Sequence, residues 1–187
     1  MINITLKDGS VKQYSEETSV ISIAKDISEG LARNVISANF NDKVVEVNSM
    51  INEDGKLEFY TWDNDEGKNA FWHSSSHVMA QSIQELFPGV KLTIGPAINS
   101  GFYYDVDLGS HKISESDFDK IESRMLEICR EKHDFNLRPV SKKEAIKFYK
   151  EEDNEYKLEL INDLKDGEIT FCDHSNFTDL CKGGHIP

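Results

Sequence analysis

The chain has 187 residues, 38% of them hydrophobic and 29% charged, and a formal net charge of −13 at pH 7. That length suits one large domain or two small ones, and the acidity excludes a broad basic surface that would hold DNA without regard to sequence. Residues 1–62 carry 6 Lys/Arg against 10 Asp/Glu (net −4), which leaves −9 for residues 63–187, so no acidic tail or basic arm stands apart.

The N-terminus, MINITLKDGS, has no basic start followed by an apolar run, and no stretch approaches the length of a membrane span. Cys129, Cys172 and Cys181 are odd in number and are not spaced as a disulfide framework. This pattern predicts a cytoplasmic protein with reduced thiols and no membrane partner.

In chain order, residues 2–6 (INITL) and 11–14 (VKQY) flank an Asp8-Gly9 step, which predicts a β-hairpin because the tight turn needs positive φ angles. Val20, Ile23, Ala24 and Ile27 recur at helical spacing behind Thr18 or Ser19 as the N-cap, and Gly30 is expected to end that helix. Short β-prone runs follow at 35–40, 44–47 and 57–61. The polar segment 63–69 (DNDEGKN) reads as a linker, and a helix is expected from about 69 to 87, stopped by Pro88-Gly89. Strands are expected at 90–94 and 101–106. Ser116 with Asp119 resembles a capping box opening a helix to about 133, with Phe118, Ile121, Met125, Ile128 and Cys129 on its packed face. Ser141 and Glu144 repeat the device, a helix or extended piece covers about 154–164, and a β-like patch lies at 168–172.

Two pairs carry the chemistry. In FWHSSSHVMA, His73 and His77 fall on one side of a helix, at the edge of the apolar stripe of Trp72, Met79, Ile83 and Leu86. In DLCKGGH, Cys181 and His185 stand four apart in a Gly-rich stretch. The residues leave two readings open: four ligands closing a tetrahedral zinc site, or an open hydrolytic pocket in which imidazoles place a water and move protons near neutral pH. The glutamate of HExxH and the GxSxG elbow are both missing, so Ser74–Ser76 read as small residues near the helix start. His111, His133 and His174 read as surface or structural.

HSSSH, IGPAINSGFYYDVD (94–107), EYK (155–157) and DLCKGGHIP (179–187) together resemble the editing domain of bacterial threonyl-tRNA synthetases, and residues 1–62 resemble the TGS domain that precedes it. Ser75, Ser76 and Gly184 depart from the usual residues of that pattern. The resemblance implies an α+β chain: a β-grasp (ubiquitin-like) TGS domain over 1–62, then an α+β editing domain over 63–187 with helices packed on an antiparallel sheet. It implies an N-terminal part of a longer enzyme, with the aminoacylation core outside this chain. The implied reaction is hydrolysis of the ester of mischarged Ser-tRNA(Thr), by His73, Lys157 and His185 as catalytic residues. His77, Asp179, Cys181, Gly95, Pro96 and Tyr104 would bind substrate.

No metal and no cofactor are implied for this part, while the full-length family enzyme implies ATP, magnesium and a zinc in its catalytic core. The implied partner is the 3′ end of tRNA(Thr) carrying serine, bound weakly, with no DNA. The fragment is expected to be a monomer and the full-length enzyme a homodimer. The alternatives are a zinc-dependent alanyl-tRNA-type editing hydrolase and a non-catalytic RNA-binding or regulatory module.

Overall fold

The structure is a computed structural model and describes residues 1–187. The chain falls into two compact units, residues 1–71 with 183–187, and residues 72–182.

In the first unit β1 (Ile2–Leu6) and β2 (Val11–Tyr14) form the expected hairpin, with Gly9 at φ +84°. After a two-residue β3 (Thr18–Ser19) comes α1 (Val20–Ile27), where the Ser19 hydroxyl accepts the N–H of Ser22 at 3.3 Å. Ser28, not Gly30, ends this helix. Its N–H closes on the Ala24 carbonyl at 3.0 Å, and its hydroxyl caps α2 (Glu29–Asn34) at the Leu31 N–H, which puts Gly30 inside the second helix. A serine that accepts on one side and donates on the other can serve two helix ends at once.

Then follow β4 (Ser37–Phe40), β5 (Lys43–Val45), β6 (Met50–Ile51) and β7 (Gly55–Tyr60). The sheet order is β2-β1-β7-β4-β5, with β1 and β7 parallel at its centre. Helix α1 lays Val20 and Ile23 on Ile2, Ile4, Ala38 and Leu57, which gives the β-grasp arrangement expected from the sequence. Strand β5 stops at Val45, two residues short of the expected run, because the Val47 carbonyl accepts the N–H of Ile21 at the start of α1 (2.8 Å) instead of joining the ladder.

The segment expected to be a linker is helical. Helix α3 runs Asp65–Leu86 and begins on Asn64, whose side-chain carbonyl accepts the Thr61 N–H at 2.8 Å while its backbone carbonyl accepts from Lys68 at 3.0 Å. Asp65 and Glu66 in the first turn face the positive end of the helix. Gly67 is required there, since a Cβ would lie 2.0 Å from the Thr61 carbonyl oxygen. The polar composition that reads as a linker is therefore the chemistry of a helix start. The division between the compact units falls at 71/72, within α3.

In the second unit the run 90–107 is broken into two-residue strands. β8 (Lys91–Leu92) pairs with β11 (Val106–Asp107), and β9 (Ala97–Ile98) with β10 (Gly101–Phe102). Helix α4 (Glu115–Glu131) is capped two residues earlier than expected. The Asp117 carboxylate accepts both the N–H and the hydroxyl of Ser114 at 2.9 Å. Ser114-x-x-Asp117 and Ser116-x-x-Asp119 are the same pattern in overlapping frames, and only the chain path selects one. Ile121 and Ile128 are buried as expected, but Phe118 and Cys129 are exposed. They lie roughly 60° and 80° around the helix from Ile121, at the margin of the stripe.

β12 (Asn136–Pro139), β13 (Thr170–His174) and β14 (Phe177–Leu180) form an antiparallel sheet. Helices α5 (Lys142–Glu151) and α6 (Glu155–Asp163) pack on it through Ala145, Tyr149, Ile161 and Phe171. Ser141 caps α5, and Asn154 caps α6 at the Lys157 N–H (3.1 Å), which makes 155–163 helical. No helix is long and apolar enough to cross a membrane.

The cap of α4 is directly measurable. Ser114→Ala is expected to cost about 1 kcal/mol of stability, and Ser116→Ala less than about 0.5 kcal/mol, as read by urea unfolding.

Candidate functional site

Helix α3 carries His73 and His77 one turn apart. Their rings lie 4.8 Å apart at 60°, and the two Nε2 atoms are 3.1 Å apart. At that distance one Nε2 carries the proton and the other accepts it, so the neutral pair holds opposite roles. The serines between them are structural. Ser74 and Ser76 are buried, and the Ser76 hydroxyl lies 2.7 Å from the His73 carbonyl and 2.9 Å from that of Gly95, so one proton ties the 95–96 turn to the helix.

Strand β14 supplies the facing wall. Strand alternation puts Phe177, Asp179 and Cys181 on one side, and all three are buried. The Cys181 Sγ lies 3.4 Å from His73 Nε2, while its backbone is zipped to Thr170 by the N–H (3.1 Å) and by the Thr170 hydroxyl on its carbonyl. Phe177 meets the His77 ring edge to face at 5.9 Å.

Asp179 is the most heavily engaged group of the site. Lys157 on α6 brings its Nζ to 2.5 Å, with both side chains 5% exposed or less. The Tyr104 hydroxyl donates to the other oxygen at 2.6 Å, the Tyr149 hydroxyl and the Leu180 N–H approach the first at 3.4 and 2.8 Å, and His77 Nδ1 is 3.9 Å away. Tyr104 is half-buried as a residue, but its hydroxyl end lies inside. Burial first, and then the charge of Asp179, push the phenols of Tyr104 and Tyr149 well above their ordinary pKa. A cavity of about 160 Å³ reaches Lys157 and Asp179 from the α5–α6 side, past Tyr149, Asn154 and Thr178.

Of the residues singled out in the sequence, His73, His77, Cys181, Lys157, Asp179, Tyr104 and Gly95 are joined by these contacts in the second unit. Gly95 is held close to Tyr104: a Cβ would lie 2.1 Å from the ring, so this glycine makes room for the tyrosine that holds Asp179. Pro96 follows it and is half-buried.

His185 lies in the first unit, wholly buried, with Nδ1 2.8 Å from the Glu46 carboxylate. A carboxylate on Nδ1 fixes the tautomer and leaves Nε2 as the basic nitrogen. Gly183 and Gly184, at φ +87° and +88°, shape this stretch, and a proline could not adopt the conformation of Gly184. Sequence reasoning missed Glu46, Tyr149 and Phe177. The β-period F-x-D-x-C could have revealed Phe177. Glu46 and Tyr149 leave no local signal, because their partners lie 139 and 30 residues away.

Residues 2–61 match the model of the TGS domain. Over all 187 residues the chain is 62% identical to the threonine--tRNA ligase of Flavobacterium psychrophilum and 60% identical to that of Flavobacterium johnsoniae, covering 28% of each of those proteins. Over 185 residues it is 46% identical to the threonine--tRNA ligase of Caldanaerobacter subterraneus, covering 29% of it. The chain thus spans less than a third of the length of these relatives.

Two outcomes test the network. Lys157→Met leaves the Asp179 charge buried without its cation and is expected to cost about 3–5 kcal/mol in urea unfolding. The raised phenols set an alkaline limit. The folded state holds these protons more tightly than the unfolded chain does, so their contribution is complete below the ordinary value of 10.0 and is lost as pH rises above it. Phenolate absorbance and circular dichroism followed together should show Tyr104 and Tyr149 ionising only as the chain unfolds. Tyr149→Phe should reduce that pH dependence.

Proposed function

Because residues 2–61 form a TGS domain and the whole chain matches the N-terminal region of threonine--tRNA ligases, we propose that this chain is the proofreading part of such an enzyme and hydrolyses the ester of serine wrongly attached to tRNA(Thr). The observation that carries this reading is the packing of His73, His77 and Cys181 within 3.4 Å contacts, on a wall shared with a buried Lys157–Asp179 pair.

The need for such a site is physical. Serine is threonine without one methyl group, and a missing methyl is worth only about 1–3 kcal/mol to a binding pocket. A second pocket that admits serine and excludes threonine by size multiplies the selectivity. The aminoacyl ester is already activated, so the pocket has only to hold the 3′ end, place a water and steady the oxyanion.

His73 contacts the terminal ribose and passes a proton to the leaving oxygen. Lys157 orients the attacking water. Asp179 accepts the α-ammonium group of the seryl moiety, which replaces part of the positive charge Lys157 supplies at rest. His77 and Cys181 shape the pocket and fix the tautomer of His73. Gly95, Pro96 and Tyr104 form the wall beside the terminal adenosine.

One observation favours a second reading, a zinc-dependent hydrolase. Ligands of tetrahedral zinc at about 2.0–2.3 Å from the metal stand about 3.3 Å (N to N) and about 3.6 Å (N to S) apart. The separations among His73, His77 and Cys181 are 3.1 and 3.4 Å. These three side chains, all in the second unit, fit such an ion. Bound zinc would supply a water acidic enough to attack at neutral pH.

The test is hydrolysis of Ser-tRNA(Thr) and Thr-tRNA(Thr) with and without a chelator. Loss of the seryl ester alone is expected, unaffected by chelator and slowed at least about 100-fold by His73→Ala. Equal rates on both esters, or an unchanged rate in the variant, would sink the proofreading reading. Chelator-sensitive, zinc-restored activity would decide for the metal.

A further inference from the structure

His73 and His77 are the first two members of a longer row. Gln81 and Glu85 continue it at the same spacing along α3, so four polar side chains stand one turn apart on one ridge of a helix otherwise given to packing. The lower half of the row is anchored. Glu85 receives the Arg124 guanidinium of α4 at 2.5 Å and the Gln81 amide at 3.1 Å. Gln81 and His174 are buried, although neither belongs to the chemistry of the site.

Their bonds assign the protons. The Gln81 atom facing Glu85 also faces the Asn176 side-chain oxygen at 3.0 Å. A carboxylate only accepts, so that atom is the amide nitrogen, with both hydrogens used. The Gln81 oxygen then points at His174 Nδ1, 2.7 Å away, and Nδ1 must carry the ring proton. One tautomer and one ring orientation of His174 result.

That ring has a second contact. It stacks on Phe135 at 4.3 Å and 19° between planes. Phe135 lies between α4 and β12, outside any regular element and only half-buried, so its own backbone does little to hold it. Phe135 in turn meets the His77 ring at 6.3 Å and 72°, as Phe177 does at 5.9 Å and 79°. Both geometries are the edge-to-face type favoured between aromatic rings.

We propose that His174 is a positioning residue for His77: locked by Gln81, it fixes Phe135, and Phe135 with Phe177 sets the rotamer of His77. The kinetic consequence rests on the ester-hydrolysis reading. The structural consequence does not.

The test uses the full chain and two substitutions that separate the Gln81 and Phe135 contacts of His174, whose ring also meets His133 edge to face at 6.1 Å. His174→Asn keeps an N–H at the position of Nδ1 but removes the ring from Phe135. His174→Phe keeps the ring and removes the N–H. Two readouts are taken: the carbon-bound ring-proton resonances of His77 by NMR, and kcat and KM for Ser-tRNA(Thr). His174→Asn is expected to move the His77 resonances and lower kcat about tenfold with KM unchanged. His174→Phe, which keeps the ring on Phe135 but loses the Gln81 lock, is expected to fall between His174→Asn and wild type in both readouts, with a lower Tm. Phe135→Leu should reproduce the His174→Asn phenotype, and it serves as the test if His174→Asn does not fold.

A lower Tm in His174→Asn with unmoved His77 resonances and unchanged kcat would make His174 an ordinary buried histidine and overturn the proposal. So would a His174→Phe variant indistinguishable from His174→Asn. If the chain proves inactive on the ester, the proofreading reading falls alone, and the His77 resonances still decide this one.

Discussion

A carboxylate in a protein interior has to be compensated, and Asp179 is where this fold does so. Its two oxygens draw in an ammonium from α6, a phenol from the stretch between β10 and β11, a phenol from α5 and the N–H of the next residue on β14. Each donor comes from a different part of the second unit, so the charge can be satisfied only when those parts have assembled. Removing a single partner would cost more than the pair contributes when intact, because the remaining charge stays buried. The network therefore specifies an arrangement as much as it adds stability.

The same constraint explains residues that have no polar role. Gly95 has to lack a side chain for the Tyr104 ring to reach Asp179. Ser76 has to be small and polar to hold the Gly95 carbonyl against α3. Asn154 caps α6 at the N–H of Lys157 and donates to the Leu92 carbonyl, so the lysine enters the site from a helix whose first turn is fixed at both ends. Helix α3 brings the two histidines to this assembly, and its polar row continues into a braced lower half. The first unit applies the same logic to His185, a wholly buried imidazole given one tautomer by the Glu46 carboxylate.

Much of the fold was legible in residue order. The hairpin at Asp8-Gly9, the amphipathic α1 and the cap at Ser141 follow from local rules that act over a few residues. The misreadings share a cause. Ser114 and Ser116 offer the same cap, Asn64 starts a helix inside a segment whose polarity suggests a linker, and Cys129 stands at the edge of a stripe that buries its neighbour Ile128. In each case local pattern admits two frames, and the choice belongs to what packs against the segment. The His73–His77 pair and the Cys181–His185 spacing were visible as motifs. Their supporting residues were not: Gln81 and His174 are 93 residues apart, and Glu46 and His185 are 139 apart.

The sequence by itself determined which elements form and which side chains could carry chemistry, since helix period, strand alternation and turn residues are properties of neighbours along the chain. Only the tertiary structure decided which of those side chains are charged partners, which tautomer each histidine holds and which glycine is obligatory. Those outcomes depend on burial and on donors a few ångströms away in space, and neither distance nor dielectric is written in the order of residues.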